Sequence, residues 1–210
     1  MSNLFRFIRP PTEPPDLSMP AAPVLPSRTG VAAPLAGVPE PDAADRLPWS
    51  TASGSRVVWV LGTHGGAGET TLARVLDDAT EANHHWPSAP NEAPPPRVLL
   101  TCRTSMTGLL SAQHAVTEWA SGTTPAIELL GLVMTADAPG KLPAPLRDFS
   151  SIVAGGAPRA WYLPWVPSWR IHAPEPGSAS RRFAPFIRDV RALTPPDHPL
   201  PLTLTEGLLQ

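Results

Sequence analysis

The chain is poor in cysteine, lysine and charge. Cys102 is the single cysteine of 210 residues, so neither a disulfide framework nor a cysteine-built zinc cluster is available. Lys141 is the single lysine, with arginine supplying the other basic residues, and any chemistry that needs an ammonium group must draw on it. Charged residues make up 16%, against roughly 25% in an ordinary domain, and the formal net charge is −2. That balance offers no electrostatic footing for nucleic acid, so no nucleic-acid partner is expected. No apolar run reaches the roughly 18–20 residues of a membrane helix, and the opening MSNLFRFIRPP has no signal-peptide core. No membrane partner and a cytoplasmic location are therefore expected. Neither G-x-S-x-G, H-E-x-x-H nor C-x-x-C occurs, which leaves hydrolase, zinc-protease and thiol-redox chemistry without support.

Proline is what the chain has in excess. It occupies 30 positions, about 14% against roughly 5% in ordinary usage. Eleven of the 30 precede residue 49. Proline fixes φ and removes a backbone donor, so neither helix nor sheet runs through such a segment. Residues 1–53 thus read as a mostly disordered Pro/Ala-rich tail. Leu4, Phe5, Phe7 and Ile8 cluster at its start, either by chance or as a short docking peptide.

Order is expected from Arg56 onward, in a domain spanning 54–194. The run Val57-Val58-Trp59-Val60-Leu61 is apolar and β-branched, as in a strand buried on both faces. A glycine-rich turn follows, then helical spacing over 70–79 through Leu72, Val75, Leu76 and Ala79. Residues 80–96, with five prolines, read as a loop that holds His84, His85 and Trp86 at the surface. A second strand covers 97–102. Thr104 or Ser105 can cap a helix to about Ala120, closed by Gly122. A third strand covers 127–135. Pro145 starts a helix carrying Leu146, Phe149, Ile152 and Val153 inward. A fourth strand covers 160–165, and a last helix places Phe183, Phe186, Ile187, Val190 and Leu193 on the body. Residues 195–210 read as a C-terminal tail. Apolar strands alternating with helices specify an α/β fold with a small, doubly wound, mostly parallel sheet.

The stretch Gly62-Thr63-His64-Gly65-Gly66-Ala67-Gly68-Glu69-Thr70-Thr71 follows a buried strand and opens a helix, the context of a phosphate-binding loop. Its glycines let backbone amides turn toward an anion. It resembles the deviant Walker A loop of the MinD/ParA family of ATPases, roughly K-G-G-x-G-K-[ST]-T. Gly65, Gly66, Ala67 and Gly68 match. His64 stands in the place of the signature lysine, which that family uses across a dimer interface around the nucleotide. Glu69 replaces the phosphate-clamping lysine, and Thr70 and Thr71 match the magnesium-coordinating Thr and its neighbour. The chain is also similar to a group of actinobacterial proteins with the same HGGAGE loop, some linked to mobile elements. The resemblance implies ATP and magnesium as cofactors, held by residues 64–71. The composition itself demands no cofactor.

A carboxylate about 4 Å from a phosphate charge repels it by roughly 1 kcal/mol in water and about 4 at an effective dielectric of 20. Glu69 beside a helix start is itself favoured by roughly 0.3–1 kcal/mol. Three readings stay open: a loop capped by its own Glu, a nucleotide site with little hydrolysis, and an ATPase that takes its clamp from Lys141 or an arginine. Asp137-Ala138-Pro139-Gly140 follows the third strand and resembles a Walker B and switch motif, with Asp137 holding magnesium alongside Thr70. It also reads as a plain turn. Asp137 and Lys141 are the weak catalytic candidates. Arg103, at a strand end, is placed to meet a phosphate or solvent. Cys102 reads as a small core residue. Trp161, Trp165 and Trp169 read as a strand with a proline-bent continuation, or as an aromatic ledge for a protein partner. The expected function is that of a degenerate P-loop protein, with lost or weak ATP hydrolysis, that acts by interaction. Its partner would be a MinD/ParA-type ATPase or plasmid and conjugation machinery, engaged through those tryptophans or the N-terminal tail. The alternative is an active magnesium-dependent ATPase.

Overall fold

The computed structural model describes residues 28–51, 58–76, 78–90, 94–174 and 181–194. The expectations for Leu4, Phe5, Phe7 and Ile8, for order from Arg56 and Val57, and for the 195–210 tail lie outside them.

The continuous apolar runs form the inner strands of one sheet. β1 (Arg28–Thr29), β3 (Val58–Gly62), β4 (Ala79–Glu81), β6 (Arg97–Arg103), β7 (Glu128–Thr135) and β8 (Arg159–Leu163) assemble in the order β1-β8-β7-β6-β3-β4. Every pairing from β4 to β8 is parallel, and only the two-residue β1 runs antiparallel. β2 (Trp49–Thr51) and β5 (Trp86–Ser88) form a separate parallel pair.

Strand alternation divides the core in two. Leu61, Val98, Leu100, Cys102, Leu132 and Met134 face α2 (Met106–Ser121) and α3 (Ala144–Gly155). Val58, Val60, Leu99, Leu130, Val133 and Leu163 face α1 (Glu69–Val75) and α4 (Ala184–Leu193). The sheet is therefore doubly wound, as its apolar strands require. Ser105 caps α2 by accepting the Gly108 N–H at 3.2 Å, and Gly122 closes it in a left-handed conformation (φ 78°).

Three local expectations change. The helix over 70–79 ends at Val75, and Ala79–Glu81 becomes edge strand β4. Leu76 turns extended, and the Asp78 carbonyl accepts the Val58 N–H at 3.0 Å, so the chain continues as sheet. Ile152 is 69% exposed rather than inward. Trp86, read as surface loop, is fully buried. Its indole N–H donates to Glu118 Oε2 at 3.0 Å.

Residues 28–51, which the proline content assigns to the tail, lie along the domain as a strap. Gly30 N–H donates to Pro158 O, Val31 N–H to Gly155 O and Leu35 N–H to Ala120 O. Leu47 N–H donates to Glu118 Oε2 at 3.1 Å. Val31, Val38 and Leu47 pack on the α2–α3 core. Three scattered apolar anchors leave no periodicity to read, yet each can contribute on the order of 1 kcal/mol when half-covered.

Candidate functional site

The chain leaves β3 toward β4 on one side and returns to β6 on the other. Crevices beyond the carboxyl ends of strands at such a reversal are the usual ligand sites of open α/β sheets. The glycine loop stands there. Gly66 (φ 78°) and Gly68 (φ 98°) adopt left-handed conformations that favour glycine. Gly65 has no such backbone, and a Cβ there would meet nothing within 4 Å. The space over Gly65 is open.

The loop is tied down from beneath. Thr63 N–H donates to Thr101 O at 3.0 Å, and Thr101 Oγ1 donates to Ala67 O at 3.2 Å. Among the described residues no acceptor within the protein reaches the N–H groups of Gly65, Gly66 or Gly68. These donors are free for an anion.

Glu69 is 6% exposed and does not cap its own helix: the α1 N-cap is Gly68, with no side-chain capping bond. The capped-by-Glu expectation is corrected here. Its carboxylate turns toward the β4 flank, where His84 N–H donates to Oε1 at 3.3 Å and His84 Nδ1 lies 3.3 Å from Oε2. Nδ1 also lies 2.7 Å from the Gly62 carbonyl. Both neighbours only accept, so Nδ1 carries the hydrogen. An unpaired buried carboxylate is costly, and its desolvation explains why it takes these donors.

His64 also points inward. Its Nδ1 donates to Gly65 O at 2.9 Å and its Nε2 accepts the Arg103 N–H at 3.1 Å. A ring bound in this way is the neutral tautomer, and it does not project outward as a signature lysine would. The Arg103 side chain spans the crevice, from Nε to Gly66 O and from Nη1 to Ala136 O, both 3.2 Å.

Two depressions flank the loop. One, of about 520 Å³, is lined by Gly65, Gly66, Arg103, Thr107, Asp137 and Arg170 among others. The second, of about 280 Å³, is lined by Thr70, Thr71, Arg74, Arg170 and His172 among others. Arg170 borders both, and its guanidinium lies 5.7 Å from the Trp165 ring centroid. Glu69 lines neither. Arg103 and Arg170 thus line the depression at Gly65 and Gly66 together with Asp137, and Arg74 and Arg170 the one at Thr70 and Thr71, while the Glu69 carboxylate is withdrawn from both.

Thr70 and Asp137 border different depressions. The Thr70 hydroxyl donates to Glu81 Oε2 at 2.8 Å, and Asp137 is exposed, with its backbone N–H on Thr104 Oγ1. The structure therefore does not join Asp137 to Thr70. Lys141 is exposed and borders neither depression. Among the described residues no group of three or more His, Cys, Asp or Glu side chains is placed to hold a metal. Cys102 is buried, and desolvation pushes its thiol up to about 12.

The tryptophans divide. Trp161 is 2% exposed, edge-on to Phe186 at 5.7 Å, with its N–H on Asp189. It is a core residue, which removes it from any docking ledge. Trp169 is half-buried against Phe183 at 4.9 Å. Trp165 remains half-exposed at the crevice. Sequence reasoning missed Glu81, His84, Arg74, Arg170 and His172 as site residues. They come from three segments, Arg74 on α1, Glu81 and His84 on β4 and the turn after it, and Arg170 and His172 near residue 170, and no motif relates the three.

No curated protein and no solved structure matches this chain. A family model does, over residues 56–186, which hold β3 through most of the body and the whole glycine loop. The chain belongs to the family of unknown function DUF6668.

Proposed function

We propose that this protein binds a phosphate-bearing ligand, of nucleotide type, at the 62–71 loop, hydrolyses it weakly or not at all, and acts by interaction. One observation carries this reading: the Glu69 carboxylate is withdrawn onto His84 while the amides of Gly65, Gly66 and Gly68 stay unpaired and Arg103 and Arg170 line the depression at Gly65 and Gly66. The repulsion that a carboxylate in the loop would exert is thereby reduced, and Arg103, Arg74 and Arg170 offset the missing lysine in charge.

The same geometry supports weak hydrolysis. No lysine borders the loop, and Asp137 is away from Thr70. Magnesium, which would neutralise phosphate charge, would be held by Thr70 and Glu81, an oxygen pair of the right chemistry. That pair is the one observation that favours an ATPase as a second reading.

The protein partner would meet the crevice rim at Trp165 and Trp169. The likeness to MinD/ParA ATPases makes such an ATPase, or plasmid and conjugation machinery, the first partner class to try, in the cytoplasm. Among the described residues no helix is long and apolar enough to cross a membrane.

The test is a melting curve with and without Mg-ATP, for the unmutated chain and Thr70→Ala, beside a phosphate-release assay. A ligand at 100 times its Kd stabilises by about 2.7 kcal/mol, a rise of several degrees. The proposal expects that rise without phosphate release. Absence of any rise refutes it, and steady release abolished by Thr70→Ala establishes the ATPase instead.

A further inference from the structure

We propose that His84 is a positioning residue that holds Glu69 out of the glycine loop and so sets the loop's affinity for anions. The inference rests on the anion-binding reading above and names how that site is regulated. Both contacts to the Glu69 carboxylate come from this one residue: its backbone N–H donates to Oε1, and its Nδ1, whose hydrogen goes to Gly62 O, lies 3.3 Å from Oε2. The same Nδ1 is anchored on Gly62 O, so the ring cannot leave Glu69 without also leaving the end of β3. Space at this point is tight. A Cβ on Gly62 would lie 3.0 Å from the His84 ring and 3.1 Å from Glu69 Oε2.

The backbone that delivers His84 is unusual. Asn83 (φ 54°) and His84 (φ 59°) are consecutive non-glycine residues in the left-handed region. Such conformations persist only where the surroundings hold them. Here Ala82 N–H donates to Val60 O, His85 N–H to Ala82 O and Trp86 N–H to Pro48 O. The turn is thus braced by β3 on one side and by the strap on the other. The turn carries Ala82 and Trp86 into the core, while the half-buried His84 between them turns to one buried carboxylate. Freed from His84, Glu69 would be able to accept from the unpaired amides of the adjoining loop, and an incoming anion would compete with it.

The experiment measures binding of inorganic triphosphate by calorimetry, with melting curves, for the unmutated chain, Glu69→Gln, His84→Ala, the double variant and His84→Asn. Asparagine tolerates left-handed backbone and keeps a side-chain N–H near the Nδ1 position. His84→Ala should weaken binding about tenfold, the effect of one added carboxylate near the anion. Glu69→Gln should restore that loss in the His84→Ala background yet change the unmutated chain less than about twofold. His84→Asn should stay near the unmutated value. An equal gain from Glu69→Gln in both backgrounds, or no loss in His84→Ala, overturns the proposal. If no variant binds triphosphate, the anion-binding reading fails by itself, and the melting curves judge the latch. Non-additive stability of the 69 and 84 substitutions then supports it, and additivity overturns it.

Discussion

His64 and His84 stand on opposite flanks of one glycine loop and are held by different parts of the molecule. His64 accepts a main-chain N–H from Arg103, the last residue of β6, and so is wired into a central strand. His84 sits on a left-handed turn whose far end hangs on the strap, through Trp86 N–H on Pro48 O and the pairing of β5 with β2. The first flank needs only the sheet. The second needs residues 46–51, Trp86 and Glu118. One loop therefore has a wall fixed by the sheet and a wall conditional on a strap outside the sheet, and the conditional wall holds the carboxylate.

The largest way to break this asymmetry is Trp86→Ala. Emptying a fully buried indole should cost about 3–5 kcal/mol in urea denaturation and loosen the His84 flank. Amide exchange should quicken at His84 and Trp86 while Thr63 and Ala67 stay protected. Equal loosening of both flanks would dissolve the comparison. Glu118→Ala comes next. It leaves Trp86 Nε1 and the Leu47 N–H without their acceptor, at about 1–3 kcal/mol for each group that stays buried, again on the strap side alone.

Arg103→Ala attacks the sheet-fixed wall. Two side-chain bonds to carbonyls vanish, about 1–2 kcal/mol together, and triphosphate affinity should fall about tenfold with the lost charge. Gly65→Ala sharpens the comparison without touching either wall. Nothing lies near its Cβ position, so stability should stay within about 0.5 kcal/mol while calorimetry records weaker triphosphate binding. Unchanged affinity would mean that no ligand approaches Gly65.

The smallest effect at neutral pH belongs to Cys102, beneath the loop. Burial raises its thiol from 9.0 to about 12, so the fold keeps a proton that the unfolded chain gives up. This contribution to stability is whole below pH 9 and is lost as pH climbs toward 12. A thiol reagent at pH 8 should label the chain only at the rate of unfolding, and fast labelling of the native protein would contradict the burial.

Much of the architecture was legible. The runs at 97–102 and 127–135 are apolar on both faces, and a strand of that kind belongs inside a parallel sheet. Ser105, Gly122 and Pro145 mark helix ends by local chemistry alone. The strap was not legible, because proline density removes the periodicity that marks long elements without forbidding packing or strands as short as β1 and β2. Nor was β4, since Ala79-Thr80-Glu81 becomes a strand only through the edge that β3 offers. At the site, the loop and its two departures at His64 and Glu69 could be read. Where Glu69 points could not, because His84 lies in a proline-rich segment with no spacing that ties it to the loop.

The linear order of residues by itself determined the buried strands, the glycine turn and the acid in place of a lysine, since backbone preference and burial act over a few neighbours. Only the tertiary arrangement decided that this acid leaves the turn, that Arg103 and Arg170 meet beside Gly65 and Gly66, and that a proline-rich strap braces the histidine holding the acid. Hydrogen bonds and desolvation act between groups brought together in space, and the segments that meet here lie far apart along the chain.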